Sequence, residues 1–387
     1  MRVLQMLQCY SRIFSGIYGL ILAMLPVSLW AQLASDGPYI WRDSIGSGAR
    51  IVSVTPEGQL VDQRVECLAV GEELGDASAE GAFVVRTEDG QHQFRVQLHE
   101  VERPSATYPE ASQTFVMSDP HGDFDCFQSL LRAAGVIDST YRWVFADGHL
   151  VVIGDVMDRG VDVTPIYWLL YELEAEAQQA GGRVSFLLGN HETLVLMNDV
   201  RYTERKYLTL ADTLGMKCAD LYGPRTELGR WLTTCNTMMR IGRDLFVHAG
   251  LSPQFYELGM SIDSLNATIT SGLYRTKAER KSMSELVYTL FASDGPIWYR
   301  GLVREDEKFH PASPDSLQLI LARYDADRLF VGHTIFPEVT EFYGGKVIGV
   351  NVDNKKARRE RRTRGVLIRG GEALRVKDSP LPDAEKL

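Results

Sequence analysis

The chain is poor in cysteine: 387 residues hold five, and no two of them stand in a CxxC pair. A cysteine zinc site is therefore not indicated. No phosphate-binding loop of the CxxxxxR kind used by cysteine phosphatases is read in the chain either. Positive charge is also short, with 41 Lys and Arg against 51 Asp and Glu and a formal charge of −10. A protein that grips nucleic acid through its phosphates carries a basic surface, so nucleic acid is not an expected partner. Phosphate-bearing substrates remain open, because metal ions supply positive charge locally. Beyond residue 31 there is no long uncharged apolar run.

The first 31 residues are the exception. Arg2 and Arg12 precede an uncharged stretch, Ile13 to Trp30, that includes "IYGLILAMLPVSLW", and small Ala31 follows. A positive start, an apolar centre and a small residue predict a signal peptide over 1–31, and with it a periplasmic or secreted protein. The alternative is an uncleaved membrane anchor, since the stretch is nearly of spanning length. Gly16, Gly19 and Pro26 weigh against a spanning helix. Export would permit a disulfide between Cys218 and Cys235; two buried thiols fit the sequence equally well.

Residues 38–104 read as a small β module, in which "RIVSV", "FVVRT" and "HQFRVQLHEV" alternate apolar with polar residues and "EDGQ" suits a turn. Residues 102–113 look like a linker. After it, "TFVMSD", "LVVIGDV" and "VSFLLGN" are near-continuous apolar runs separated by helical stretches. That pattern predicts an α/β domain over 114–371, with a sheet covered on both faces. Later strand-like runs follow one another without helices, which predicts a mixed second sheet. Residues 196–242 interrupt the frame as a cap-like insert, where Tyr202, Tyr207, Tyr222 and Trp231 either shape a cleft or pack internally. The basic run "KKARRERRTR" (355–364) reads as a solvated loop, with substrate steering or a membrane surface as the alternative. Residues 372–387 read as a tail.

Five apolar runs end in polar residues of metal-ligand type. They give Asp119 and His121; Asp155, Asp158 and Arg159; Asn190, His191 and Glu192; His248; and His333. In such sheets the crevice beyond the strand ends is where ligands bind. A single histidine at a strand end is ordinarily structural. Burying this many carboxylates and imidazoles together, however, costs several kcal/mol each without compensation. Divalent cations compensate, and imidazole with carboxylate and amide oxygen suits Mn, Fe or Zn rather than calcium. Asp155 is placed to bridge two ions. Glu192 reads as a supporting or helix-start residue. His92, His99, His149 and His310 stand outside the pattern.

The strings "DPHGD", "GDVMDRG", "GNHE", "HAG" and "GHT", in this order, resemble the calcineurin-like metallophosphoesterases of the phosphoprotein phosphatase branch. "TELGRWLTTCNTMMRIG", "DGPIWYRG" and "FVGHTIF" are similar to the Shewanella-like protein phosphatases within it. The resemblance implies two mixed β-sheets packed as a sandwich and flanked by helices. It implies one metal on Asp119, His121 and Asp155 and a second on Asp155, Asn190, His248 and His333. His191 would be the general acid, with Asp158 fixing its tautomer, and Arg159 would bind phosphoryl oxygens. The implied reaction is hydrolysis of a phosphomonoester on a phosphoprotein or phosphopeptide, by in-line attack of a metal-bound hydroxide. Arg300, in "WYRG", is a candidate second phosphate-binding arginine. Ser118 stands where the family pattern usually has glycine. The segment carrying further arginine and inhibitor contacts in eukaryotic serine/threonine enzymes is not recognisable, so the resemblance does not carry that specificity over. A dinucleoside polyphosphate hydrolase and a non-catalytic phosphate-binding module are the competing readings.

Overall fold

The computed structural model describes residues 33–43, 48–66, 82–378 and 385–386, and Ala34–Leu387 cluster as one unit. The expected signal segment, Cys9 and Cys67 lie outside the described residues. Five strands come first. β1 (Asp36–Arg42), β2 (Ala49–Val54) and β3 (Leu60–Val65) form an antiparallel sheet, and β4 (Ala82–Arg86) pairs with β5 (Gln93–Gln97) as a hairpin. The hairpin turns at "EDGQ": Gly90 takes φ 70°, and Asp89 Oδ1 accepts from the Gln91 N–H at 2.9 Å.

Two six-stranded sheets make the core. One runs β17 (Glu385–Lys386), β16 (Glu372–Val376), β15 (Gly365–Arg369), β7 (Gln113–Met117), β8 (His149–Val152), β9 (Arg183–Phe186). The other runs β13 (Thr340–Phe342), β14 (Val347–Gly349), β12 (Arg328–Val331), β11 (Asp244–Val247), β10 (Met238–Ile241), β6 (Thr107–Tyr108). Strands β7, β8 and β9 are parallel and β15 is antiparallel to β7. Strands β11, β12 and β14 are parallel, with β10 and β13 antiparallel to their neighbours. Both sheets are thus mixed. Val116 and Val151 of the first, with Ile153 and Leu187 just past the ends of β8 and β9, share one buried cluster with Met239, Phe246, Phe330 and Ile348 of the second. Burial on both faces is why the parallel strands read as unbroken apolar runs.

Helix α1 (Phe124–Ala133) starts at Asp123, whose side chain accepts from the Cys126 N–H, and α2 (Val163–Gln179) is buried along most of its length. Helix α3 (Asn190–Leu196) begins directly at the third strand end. The N-terminal strands share the core of α2. The Phe83 and Trp168 rings meet edge to face at 4.8 Å, and Trp168 Nε1 donates to the Pro38 carbonyl at 3.0 Å.

Several boundaries differ from the sequence reading. The expected linker contains β6, which pairs with β10 through Thr107 and Arg240. The first residues of the expected tail are β16, joined to β15 by a turn in which Gly370 and Gly371 both take positive φ, as a tight hairpin requires. The insert contributes α4 (Arg205–Thr213) and α5 (Glu227–Thr234), and its end is β10. The basic run is not a plain loop. Asn354–Arg359 is a helix, and Arg364 is buried, donating to the Cys126 carbonyl at 2.6 Å and pairing with Asp378. Cys126, Cys218 and Cys235 are separate buried thiols. Among the described residues no helix is long and apolar enough to cross a membrane.

Candidate metal centre

The parallel strands end at one side of the sandwich, and the loops there are held in unusual backbone conformations. Asp119 (φ 49°), His121 (43°), Asp155 (57°), Asp158 (71°), Arg159 (68°) and His333 (59°) are all left-handed. Each such residue costs about 1–2 kcal/mol, so a cluster of six marks where the fold sacrifices stability to aim side chains. The geometry also needs bare backbone opposite. A Cβ on Gly189 would stand 2.2 Å from Asp155 Oδ1, and one on Gly332 would stand 1.9 Å from Ser118 Oγ. The second contact explains how serine fits at 118: its hydroxyl fills space that Gly332 leaves, between the Ile153 carbonyl at 3.0 Å and Asp119 Oδ1.

The side chains converge. Asp155 Oδ2 lies 3.3 Å from His248 Nε2, 3.9 Å from His121 Nε2 and 4.0 Å from His191 Nε2. Asp119 Oδ2 lies 4.0 Å from His121 Nε2. Asn190 Oδ1 is 2.9 Å from His248 Nε2. Ligand atoms of His121, Asp155 and His191, and those of Asp155, His248 and His333, fall in two groups, each within 4.8 Å of one another. Asp155 belongs to both groups, as a ligand shared by two ions would, and the first group holds His191 where the sequence expectation has Asp119.

These residues fit metal ions by their donor chemistry. His121 Nδ1 donates to the Met157 carbonyl at 2.9 Å and His248 Nδ1 to the Ile153 carbonyl at 2.8 Å. Each Nε2 is left facing the carboxylates, the usual arrangement for a metal-ligating imidazole. His333 Nε2 is buried with no hydrogen-bond partner, an orphan that a cation would satisfy. Burial, with the Asp155 charge and against the pull of His248, raises the Asp119 carboxyl to about 7; burial, against the pull of Asp155, lowers the His121 imidazole to about 4. Burial also opposes charge on His248, yet Asp155 beside it pushes its pKa up to about 9, and Asp155 itself is held well below the carboxylate range. The pair calls for positive charge between them, as a proton or as a metal ion.

His191 is held differently. Its Nδ1 meets Asp158 Oδ2 at 2.7 Å, and Asp158 Oδ1 accepts from Thr203 at 2.6 Å. Burial lowers the His191 pKa, but the Asp158 hydrogen bond and the Asp155 charge outweigh it and raise the net value. Glu192 does not reach the cavity. Its two oxygens accept from the backbone N–H groups of Gly189, Asp155, Val156 and Met157 and from Tyr167, tying α3 to the Asp155 loop.

A cavity of about 310 Å³ opens over these groups, lined further by Arg159, Arg300, Arg304, Tyr202, Trp298 and Ile335. Arg159 is exposed at its mouth, its Nη2 3.3 Å from His191 Nε2. Arg300 donates to Thr334 Oγ1 at 2.8 Å. Of the four aromatics of the insert, Tyr202 lines the cavity, whereas Tyr207, Tyr222 and Trp231 are each 2% exposed and pack internally. The sequence reading missed Arg304, Trp298 and Asn351; Asn351 Nδ2 donates to Asp119 Oδ2 at 2.7 Å. It also overlooked one CxxxxxR spacing, Cys126 to Arg132. That spacing falls within α1, with the thiol buried and its pKa pushed up to about 11 by burial, the opposite of a nucleophilic thiolate.

A double sheet with carboxylates and imidazoles at its strand ends is the metallophosphoesterase framework. The family model described as calcineurin-like phosphoesterase matches residues 113–337, more than half of the chain, which therefore belongs to that family. The chain is similar to an uncharacterised protein of Schizosaccharomyces pombe, 30% identical over 57% of this chain and 66% of that one. Shewanella-like protein phosphatase 1 of Plasmodium berghei is 28% identical over 57% of this chain and 60% of its own length. The chain thus spans about two thirds of the curated relatives it matches. The cold-active protein-tyrosine phosphatase of a psychrophilic Shewanella superposes with a TM-score of 0.79 at 28% identity, over 91% of this chain and 99% of that one.

Proposed function

We propose that the protein is a metal-dependent phosphomonoesterase acting on phosphoproteins, with phosphotyrosine favoured. The observation that carries the reading is that Asp119, His121, Asp155, Asn190 and His333 line one cavity, with buried His248 behind them and its Nε2 against Asp155 and Asn190. Similarity to the Shewanella protein-tyrosine phosphatase supports the substrate class. Two ions of the Mn, Fe or Zn kind held there would supply a nucleophilic water at neutral pH and neutralise phosphoryl oxygens. Arg159 and Arg300 orient the phosphoryl group from the cavity wall, where a guanidinium fork matches phosphate geometry. His191 delivers a proton from Nε2 to the departing oxygen, and Asp158 holds Nδ1 so that Nε2 faces the substrate.

The test is hydrolysis of para-nitrophenyl phosphate with added manganese, before and after chelation, followed by phosphopeptides set against dinucleoside tetraphosphate. Activity that survives full chelation, or preference for the dinucleotide, defeats the proposal. His191→Ala is expected to cut turnover by about 10²–10⁴ with metal content intact. Loss of bound metal instead would make His191 a ligand, which its distance to Asp155 permits. Export is part of the proposal and is supported by the composition of residues 1–31. The intact mass of the protein recovered outside the cytoplasm tests it.

A further inference from the structure

Tyr202 is a large side chain at the cavity mouth that no step above uses. It is 47% exposed, yet its backbone is fixed, because its carbonyl accepts the Arg159 N–H at 2.9 Å. Its ring centroid lies 5.3 Å from that of His191, tilted by 54°. The guanidinium groups of Arg159 and Arg201 stand 6.0 Å and 5.9 Å from the ring centre, and Arg201 is itself tied to Asp199 at 2.6 Å. The ring thus has two cations beside it and forms part of the cavity wall.

Position decides what that surface meets. In an in-line displacement the attacking and leaving oxygens lie on opposite sides of phosphorus. The leaving oxygen must come within hydrogen-bond reach of the acid, His191 Nε2. The carbon skeleton attached to that oxygen therefore emerges beside His191, on the side where Tyr202 stands. Trp298, whose ring is perpendicular to that of His333 at 5.6 Å, lines the part of the cavity next to the other imidazoles. An aromatic leaving group reaches the Tyr202 ring and packs on it. The single methylene of a serine ester is too short to bring comparable area against it.

We propose that Tyr202 is the leaving-group platform that makes this site favour aryl over alkyl phosphomonoesters. The inference rests on the phosphatase reading above and names the contact that would give it phosphotyrosine preference. It differs from a positioning role, in which Tyr202 acts only by steadying His191. Alkoxide is a poorer leaving group than phenolate and depends more on the acid, so a positioning role predicts larger losses on phosphoserine.

The experiment measures kcat/KM for Tyr202→Leu and Tyr202→Phe in the full metal-loaded protein. The substrates are one peptide sequence bearing phosphotyrosine or phosphoserine, together with para-nitrophenyl phosphate. Tyr202→Leu is expected to lose about fivefold or more on phosphotyrosine and less than about twofold on phosphoserine. Tyr202→Phe, which keeps the ring, is expected to retain the wild-type ratio. Equal losses on both peptides, a larger loss on phosphoserine, or no change in Tyr202→Leu overturns the inference. A wild type that hydrolyses para-nitrophenyl phosphate but not the phosphotyrosyl peptide overturns it together with the phosphotyrosine preference, and leaves the metal-dependent phosphomonoesterase reading standing. A wild type inert on all three overturns both.

Discussion

Asp119 shows how a single proposed ligand is held. Its Oδ1 accepts the His333 N–H at 3.1 Å, its Oδ2 accepts from Asn351 at 2.7 Å, and its carbonyl accepts from Asn354 at 3.1 Å. Asn351 is 2% exposed and brings a donor to a carboxylate that burial alone would push toward the neutral form. Asn351→Ala should therefore leave the fold intact while weakening metal affinity by about 10–100-fold, as loss of a partner behind a ligand typically does. Competition for manganese against a fluorescent chelator measures this, and affinity within about twofold of wild type would show that Asp119 is positioned without Asn351. The six proposed ligands could be picked out of the sequence because each ends an apolar run next to a glycine-bearing turn. Asn351 follows the run "KVIGV" in the same way, but it lies inside the strand-like run "KVIGVNVD" with no histidine beside it. Arg304 and Trp298 were passed over although Arg300 was picked out of the same segment, since no strand end there marks which side chains face the cavity.

At the scale of elements, strands were easier to read than their partners. Buried parallel strands advertise themselves through uninterrupted apolar residues, so β7, β8, β9, β11 and β12 were all visible. Two-residue β6 has no period to detect, and β16 alternates too briefly to stand out from a tail, so their pairing is tertiary information. Helix α3 was signalled only by Glu192, read as a supporting or helix-start residue, and Glu192 holds it in place. At the third position of that helix, its carboxylate accepts the Gly189 N–H at 2.7 Å and the Asp155 N–H at 2.9 Å through one oxygen. In Glu192→Gln one face of the amide must turn N–H groups toward backbone N–H groups. Two buried donors without acceptors should lower stability by about 2–5 kcal/mol and loosen the Asp155 loop. Urea unfolding checks the size; a midpoint at the wild-type value would mean that the helix and loop are joined by packing alone.

Among the described residues the two six-stranded sheets share one buried cluster, and His149 offers a way to read that coupling as pH. It lies on β8, 3% exposed, with Nε2 2.8 Å from Ser185 Oγ of β9 and its ring 5.1 Å from that of Tyr108 on β6. His149 therefore stands where the two sheets meet. Burial, helped by the nearby Arg183 charge, lowers its pKa to about 3, whereas the unfolded chain titrates near 6.5. Between those values the unfolded state takes up a proton and the folded state does not. The His149 contribution is thus fully present above about pH 6.5 and is lost as pH falls, by up to about 1.4 kcal/mol per unit, or about 2 kcal/mol by pH 5. His149→Gln, which can still bond Ser185 but does not titrate, should unfold with a weaker pH dependence over pH 7.5 to 5 than the wild type. The metal centre adds its own pH dependence to both proteins, so the difference between them isolates His149. Parallel curves would mean that the imidazole takes a proton without leaving the core, and that the contact between the sheets accommodates charge.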